Sequence, residues 1–390
     1  MKIMAVTHPY ADGQKWDEVE IIYDRPVIGA EIADFQVAGR ILTGCETDGA
    51  VVRLKLSAAD SEAFRIAFDR PEKEAGEIRE KVGGTPRHLP RMKVKEIAAT
   101  VSQTVDLTDA DGRTVPAFTE VSDGVREETA DRFGMMTFES LLFNLFIPEC
   151  AEAGKSYPLV VFINDAGSNG PDGRLTLMQG FGATGFALPE IQEKTPCYVL
   201  APQIPSEGGP MTTDEFTCTE TLDVLRRLVH YVTEQYPINP ERVYVTGQSQ
   251  GCMGACEMMV REPDLFAKAL LVAGQWNPET VGKACAGKKI WIFVSDGDLK
   301  ACPGMKAVCR ALEENGAKVA YHELNAKAPL DEQNAAVLEQ ERDGANVRMT
   351  VFTNHSVIPE GVNDNPGSNH MNTWPATYRL RAVREWLLEG

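Results

Sequence analysis

Residues 243–251 read Val-Tyr-Val-Thr-Gly-Gln-Ser-Gln-Gly. The first four are β-branched or aromatic and suit a short buried strand. Residues 252–261 carry a helical pattern that ends near Pro263. Strand, tight turn and helix is the setting in which Gly-x-Ser-x-Gly acquires chemical meaning. The turn must be sharp enough to project the Ser249 hydroxyl. Side chains at 247 and 251 would strike the neighbouring strand and helix, so glycine is required at both. The helix behind Ser249 also turns its positive end toward charge developing at the serine. Taken alone the five-residue pattern is weak, because an ordinary strand-to-helix turn can carry it.

The flanks supply the context. Apolar runs recur at 159–163, 197–201, 269–273, 290–294 and 317–321, and another at 141–147 is closed by Pro148. Helical patterns lie between most of them. The clearest sets Leu222, Leu225, Val229, Val232 and Tyr236 on one face and stops at Pro237. This alternation predicts an α/β unit over 131–390, a mostly parallel sheet with helices on both faces. The first 130 residues follow a different grammar. Val52, Leu54 and Leu56 alternate with Val51, Arg53 and Lys55, and Phe64, Ile66 and Phe68 alternate with smaller or charged neighbours. Turn signals stand at 47–49, at Gly83-Gly84 and at 109–112. A small all-β sandwich over 1–130 is expected. The polar stretch 120–135 reads as a linker or a long connection.

The bulk numbers agree with two domains. A chain of 390 residues, 43% hydrophobic and 25% charged, is soluble and too long for one ordinary core. The net charge of −18 repels phosphate backbones and argues against nucleic acid as a partner; solubility alone accounts for such a charge. No run approaches the ~18 apolar residues of a membrane span. The first residues lack an apolar signal core, so a cytoplasmic location is expected, or a secreted one if a signal has been removed. The nine cysteines form no Cys-x-x-Cys pair and no zinc framework, which points to buried free thiols.

From about residue 137 to its end, on the strength of Gly-Gln-Ser-Gln-Gly in its strand–helix setting, the chain resembles the esterase and depolymerase-like branch of the α/β-hydrolases. That branch is related to the catalytic domain of prolyl oligopeptidases. Bacterial members often carry an N-terminal immunoglobulin-like domain, which would suit the strands of the first 130 residues. The resemblance implies a nucleophile, an acid and a histidine in that chain order. Ser249 is the nucleophile. The acid follows the strand at 290–294 in Ser295-Asp296-Gly297-Asp298, where two aspartates compete. The family pattern His-Gly-x-x-Asp places it at Asp298, with Val294 and Ser295 where histidine and glycine would stand. His322, His355 and His370 follow. His322 lies in the strand-like 318–324 and His355 just past 347–353. His370 sits in a predicted loop, 366–374, before the last helix, and is the expected base.

The same resemblance assigns the oxyanion donors to the backbone N–H groups of Gln250 and Ala166. Ala166 lies in Asn164-Asp165-Ala166-Gly167, where relatives carry His-Gly-Ala-Gly or similar. Asp165 thus replaces a glycine beside a site for negative charge, and its carboxylate must either turn away or remodel the hole. Asp165 and Trp276 are candidate pocket residues, and a helix over 331–342 is expected to cover the pocket. Together these features imply carboxylic-ester hydrolysis through an acyl-enzyme, with no metal or organic cofactor. The substrate would be a small-molecule or polysaccharide-linked ester, and the N-terminal domain is a candidate surface for homo-oligomers. Two other readings compete. Prolyl-peptide hydrolysis is disfavoured because the repeated ~40-residue propeller blades of such peptidases are missing. An inert binding protein on a hydrolase scaffold is motivated by Asp165.

Overall fold

The computed structural model describes residues 1–69, 81–82, 85–86, 91–152, 154–206 and 210–389. The chain divides into two compact units, one of Met1–Ala67 with Val94–Arg132, the other of Phe68–Lys93 with Phe133–Gly390.

The smaller unit is all-β. Gly124–Glu127, Lys2–Tyr10, Gly13–Ile22, Val51–Leu56 and Leu42–Asp48 form a five-stranded sheet in that order. Phe118–Val121, Thr100–Gln103 and Phe35–Val37 form a second sheet of three. Alternate residues of both meet in one core, with Ile3, Ala5, Val19, Ile21, Val52 and Leu54 from the first sheet against Phe35, Val37 and Val101 from the second. This is the sandwich expected of an immunoglobulin-like domain. The expected alternation holds at Val52, Leu54 and Leu56, which are all buried.

Two local expectations fail in this unit. The stretch at 120–135 is structured: Phe118–Val121 pairs antiparallel with Thr100–Gln103, and Gly124–Glu127 runs parallel to the first strand. Its polar composition reflects the open face of an edge strand, where half of the positions meet water. Around residue 65 the buried position is Arg65 rather than its apolar neighbours. Its guanidinium donates to Glu127 Oε1 at 2.9 and 2.5 Å, and each charge tolerates burial because the other is there. The turn signal at Gly83-Gly84 lies outside the described residues.

In the larger unit the strands are numbered β1 (Phe133–Phe138), β2 (Leu141–Phe146), β3 (Tyr157–Ile163), β4 (Tyr198–Gln203), β5 (Ile238–Gln248), β6 (Lys268–Val272), β7 (Lys289–Ser295), β8 (Val319–Leu324) and β9 (Val347–Phe352). They form one sheet in the order β1-β2-β4-β3-β5-β6-β7-β9-β8. The first two joints, β1–β2 and β2–β4, are antiparallel and all the others parallel. The helices of eight residues or more are α1 (Glu220–Gln235), α2 (Gln250–Arg261), α3 (Pro278–Cys285), α4 (Ala301–Glu314), α5 (Leu330–Glu341), α6 (Pro366–Tyr378) and α7 (Arg381–Leu388).

Both faces of the sheet are covered, and β7 shows how. Ile290, Ile292 and Val294 join the core that contains Met305 and Val308 of α4. Trp291 and Phe293 point the other way, where the Trp291 ring meets Trp386 of α7 edge-on at 5.1 Å. The Trp291 indole also donates to Thr350 Oγ1 at 2.9 Å, so its one polar atom is satisfied inside the core. The α1 stripe is buried at Leu222, Leu225, Val229 and Val232, as its spacing predicts. This is the α/β-hydrolase architecture, a mixed sheet between two helical layers. Among the described residues no helix is long and apolar enough to cross a membrane.

All nine cysteines are unpaired, and Cys197, Cys252, Cys256, Cys285, Cys302 and Cys309 are buried while Cys150 is exposed. Burial pushes the thiols of Cys197, Cys285 and Cys309 up to about 12, so they hold their protons at neutral pH. Iodoacetamide at pH 8 is therefore expected to alkylate Cys150 first, with those three reacting only after unfolding; peptide mapping of the native protein checks this. Early modification of Cys285 or Cys309 would show that the core is not closed.

Candidate active site

The strand that leads into Gly247-Gln-Ser-Gln-Gly251 is β5, and it ends on a turn that only this pattern allows. Ser249 has φ +52° and ψ −116°, a conformation costly for a residue with a side chain. A Cβ on Gly251 would lie 2.0 Å from the Ile163 carbonyl oxygen, and one on Gly247 would lie 2.4 Å from the Gly251 carbonyl carbon. The Ser249 N–H donates to Val272 O at 3.0 Å, which ties the turn to β6. The helix α2 starts at Gln250 with its N-terminus behind the serine.

The acid and the histidine arrive from the far half of the sheet. Asp298 follows β7 and is 3% exposed. Its Oδ1 accepts the N–H groups of Lys300 at 3.1 Å and Ala301 at 2.9 Å, at the start of α4. Its Oδ2 lies 2.6 Å from His370 Nδ1, and His370 Nε2 lies 2.8 Å from Ser249 Oγ. Burial pushes the Asp298 carboxyl up. The hydrogen bond from His370, with the two backbone N–H groups, outweighs burial and holds it below the usual carboxylate range. An ionised carboxylate can only accept, so the proton of the imidazole sits on Nδ1. That leaves the Nε2 lone pair for the Ser249 hydroxyl.

His370 is not in a loop. It lies in the helix α6, whose N-cap Asn365 accepts the Ser368 N–H at 3.0 Å and whose first residue is Pro366. Asn-Pro at this place is a helix-start signature legible in the sequence. Helical spacing then explains the nearby tryptophan: His370 and Trp374 are four residues apart, and their rings meet edge-on at 5.3 Å.

The rival residues are occupied elsewhere. Asp296 accepts the N–H groups of Asn354 at 2.7 Å and His355 at 3.0 Å. His355 pairs with Asp364 at 2.7 Å, and His322 with Asp343 at 2.7 Å. One residue not anticipated braces the site. Asn369, beside His370, accepts from Ser295 Oγ and donates to Asp364 Oδ1, each at 2.8 Å, so it joins the end of β7 to α6. Nothing in the local sequence marks that bridge, since its ends lie 74 positions apart.

Ala166 and Gln250 line the same cavity, of about 380 Å³, as Ser249 and His370. Each is the first residue of a helical segment, the single turn Ala166–Ser168 and α2. An N–H at that position has no acceptor within its own element and faces outward. Thr212, Asp214, Met253, Gln275, Leu299 and Lys300 complete much of the wall. There the Asp214 carboxylate accepts from Gln275 at 2.9 Å and pairs with Lys300.

Three expectations about the pocket are corrected. Asp165 does not line it: its carboxylate, 6% exposed as a residue, turns away from the cavity into a nest of donors. Trp276 does not line it either. It is 1% exposed, its ring meets Phe216 edge-on at 5.5 Å, and its indole donates to Glu257 at 2.8 Å, so it is a core residue. The helix expected to cover the pocket exists as α5 but packs on the C-terminal helices. Asn334 accepts the Ala382 N–H at 2.9 Å, and Gln333 accepts from Arg379 at 3.1 Å. Among the described residues no group of three or more histidine, cysteine, aspartate or glutamate side chains is placed to hold a metal ion.

Fold and site together define an α/β-hydrolase fold with a serine, a histidine and an aspartate in hydrogen-bonded line. Residues 213–354, which contain Ser249 and Asp298, match the family model described as "Putative esterase". The solved structure of a thermostable esterase is similar over 99% of this chain and 98% of its own, with a TM-score of 0.79 at 23% identity. An acetyl xylan esterase from Aspergillus awamori covers 48% of this chain and 82% of its own, at 18% identity and a TM-score of 0.37. A feruloyl esterase module from Clostridium thermocellum covers 64% and 89%, at 13% identity and a TM-score of 0.41. No curated protein matches the sequence. The esterase family match and the fold support an ester hydrolase.

Proposed function

We propose that the protein is a serine carboxylesterase that works through an acyl-enzyme on Ser249. One observation carries this reading: the unbroken path from Ser249 Oγ to His370 Nε2 at 2.8 Å and from His370 Nδ1 to Asp298 Oδ2 at 2.6 Å. As Ser249 Oγ bonds to the acyl carbon, its proton passes to Nε2, and the carbonyl oxygen becomes an oxyanion facing the Ala166 and Gln250 N–H groups. Asp298 holds the imidazole in the required tautomer and stabilises its positive charge. Collapse of the intermediate breaks the ester C–O bond, and His370 returns its proton to the departing alkoxide. Water then repeats the sequence on the acyl-enzyme and frees the acid.

The orientation of Asp165 supports an active hydrolase over an inert scaffold, because the extra carboxylate points away from the developing charge. The polar wall of Thr212, Asp214, Gln275 and Lys300 suits an ester with a polar flank, such as a small-molecule ester or one decorating a polysaccharide.

A fluorophosphonate probe followed by peptide mapping tests the proposal. One adduct on Ser249, absent from Ser249→Ala, together with turnover of p-nitrophenyl acetate, is the expected result. A folded protein that takes up no probe and turns over no ester would overturn it.

A further inference from the structure

We infer that Asp165 is a positioning residue for oxyanion stabilisation, its buried carboxylate fastening the loop that carries the Ala166 N–H to the strand that carries Ser249. The inference rests on the serine-esterase reading. The carboxylate collects donors from three separate parts of the unit. From its own loop it accepts the Gly167 N–H at 3.0 Å and the Ser168 hydroxyl at 2.6 Å. From beyond the loop it accepts the Gln179 amide. From β5 it accepts the Gln248 amide at 3.3 Å, and Gln248 is the residue immediately before the nucleophile. A second brace runs beside the first. Asn169 Nδ2 donates to Gln250 Oε1 at 2.8 Å, while Asn169 Oδ1 accepts from Asn164 at 3.0 Å.

The two oxyanion donors thus belong to segments that are each tied to the other by side chains. One tie runs from residue 165 to 248, the other from 169 to 250. An oxyanion hole acts only if its donors are held in place before charge develops, and a shift of about 1 Å forfeits much of the effect. A glycine at 165 would supply no acceptor for the Ser168, Gln179 and Gln248 donors, all in buried or half-buried surroundings. The carboxylate is therefore a fastening in this chain, and its charge stays outside the hole.

The test compares wild type, Asp165→Ala and Asp165→Asn on p-nitrophenyl acetate. Each is also titrated with a trifluoromethyl ketone, whose adduct places an oxyanion in the hole, and with the matching unreactive amide. For Asp165→Ala, kcat is expected to fall about 100-fold, the order seen when one oxyanion donor is lost. KM and amide affinity should stay within about threefold, and the ketone Ki should rise in parallel with the loss in kcat. Asp165→Asn keeps one acceptor oxygen and should recover part of both. If Asp165→Ala does not fold, the same parallel loss in Asp165→Asn supports the inference, and unchanged kinetics there overturn it. Wild-type kcat in Asp165→Ala, or a fall in kcat with unchanged ketone Ki, also overturns it. A wild-type protein that neither turns over ester nor labels at Ser249 removes the esterase reading, and this inference with it.

Discussion

Ser249→Ala is expected to lower kcat on p-nitrophenyl acetate by about 10⁶-fold while KM changes little, because the bond-forming atom is gone and the pocket is intact. His370→Ala should lose a similar factor. The double variant should be no worse than either alone, since Ser249 Oγ and His370 Nε2 act as a unit across 2.8 Å. Asp298→Asn should cost less, about 10⁴-fold, through loss of the imidazole tautomer. Steady-state kinetics on the three single variants and the double check these values. Additive losses in the double, or a Ser249→Ala variant within tenfold of wild type, would contradict the arrangement. Acid adds a second check. The Asp298 carboxyl is held below its ordinary range of about 3.9 in the native state, so its contribution to stability is complete above that value. The contribution is lost as pH falls through the lower native value. Acid unfolding of Asp298→Asn should lack this component.

Gly251→Ala is expected to fail at the level of the fold. Its Cβ would stand 2.0 Å from the Ile163 carbonyl oxygen, and Asn164 O is 2.9 Å away, so backbone on β3 and its following loop would have to move. No flexible side chain absorbs the clash. The displaced segment is the one that leads into Ala166, so stability and the oxyanion loop suffer together. A loss of roughly 4 kcal/mol or more is expected, in the range reserved for core overpacking against rigid neighbours. Thermal unfolding or soluble yield measures it. A Tm within 3 °C of wild type would show that β3 can yield where its burial says it cannot.

The legible parts of the site were those set by local chain geometry. Gly247, Ser249 and Gly251 sit within five residues, and the turn they form imposes its own composition. The strand at 290–294 narrowed the acid to Asp296 or Asp298 and chain order narrowed the base to three histidines; the family resemblance then favoured Asp298 and His370. The helical setting of His370 is marked by Asn365-Pro366, but the glycine, serine and asparagine that follow are residues equally at home in a loop. The nest around Asp165 has partners at 168, 179 and 248, so no window of sequence contains it. Arg65 illustrates the same limit from the opposite side. A charged residue reads as exposed until its partner Glu127, 62 positions away, is known.

The placement of β9 between β7 and β8 has a consequence for how the protein comes into being. During synthesis β7 and β8 leave the ribosome before the strand that must part them, so neither can settle against the other in an order that survives. The nucleophile and the acid are already made by then, but the imidazole follows β9 in the chain. A nascent polypeptide released before residue 366 would hold an unarmed serine. On the proposed mechanism ester turnover therefore waits for a segment made after β9, and its appearance in a timed translation reaction would report that the sheet has closed.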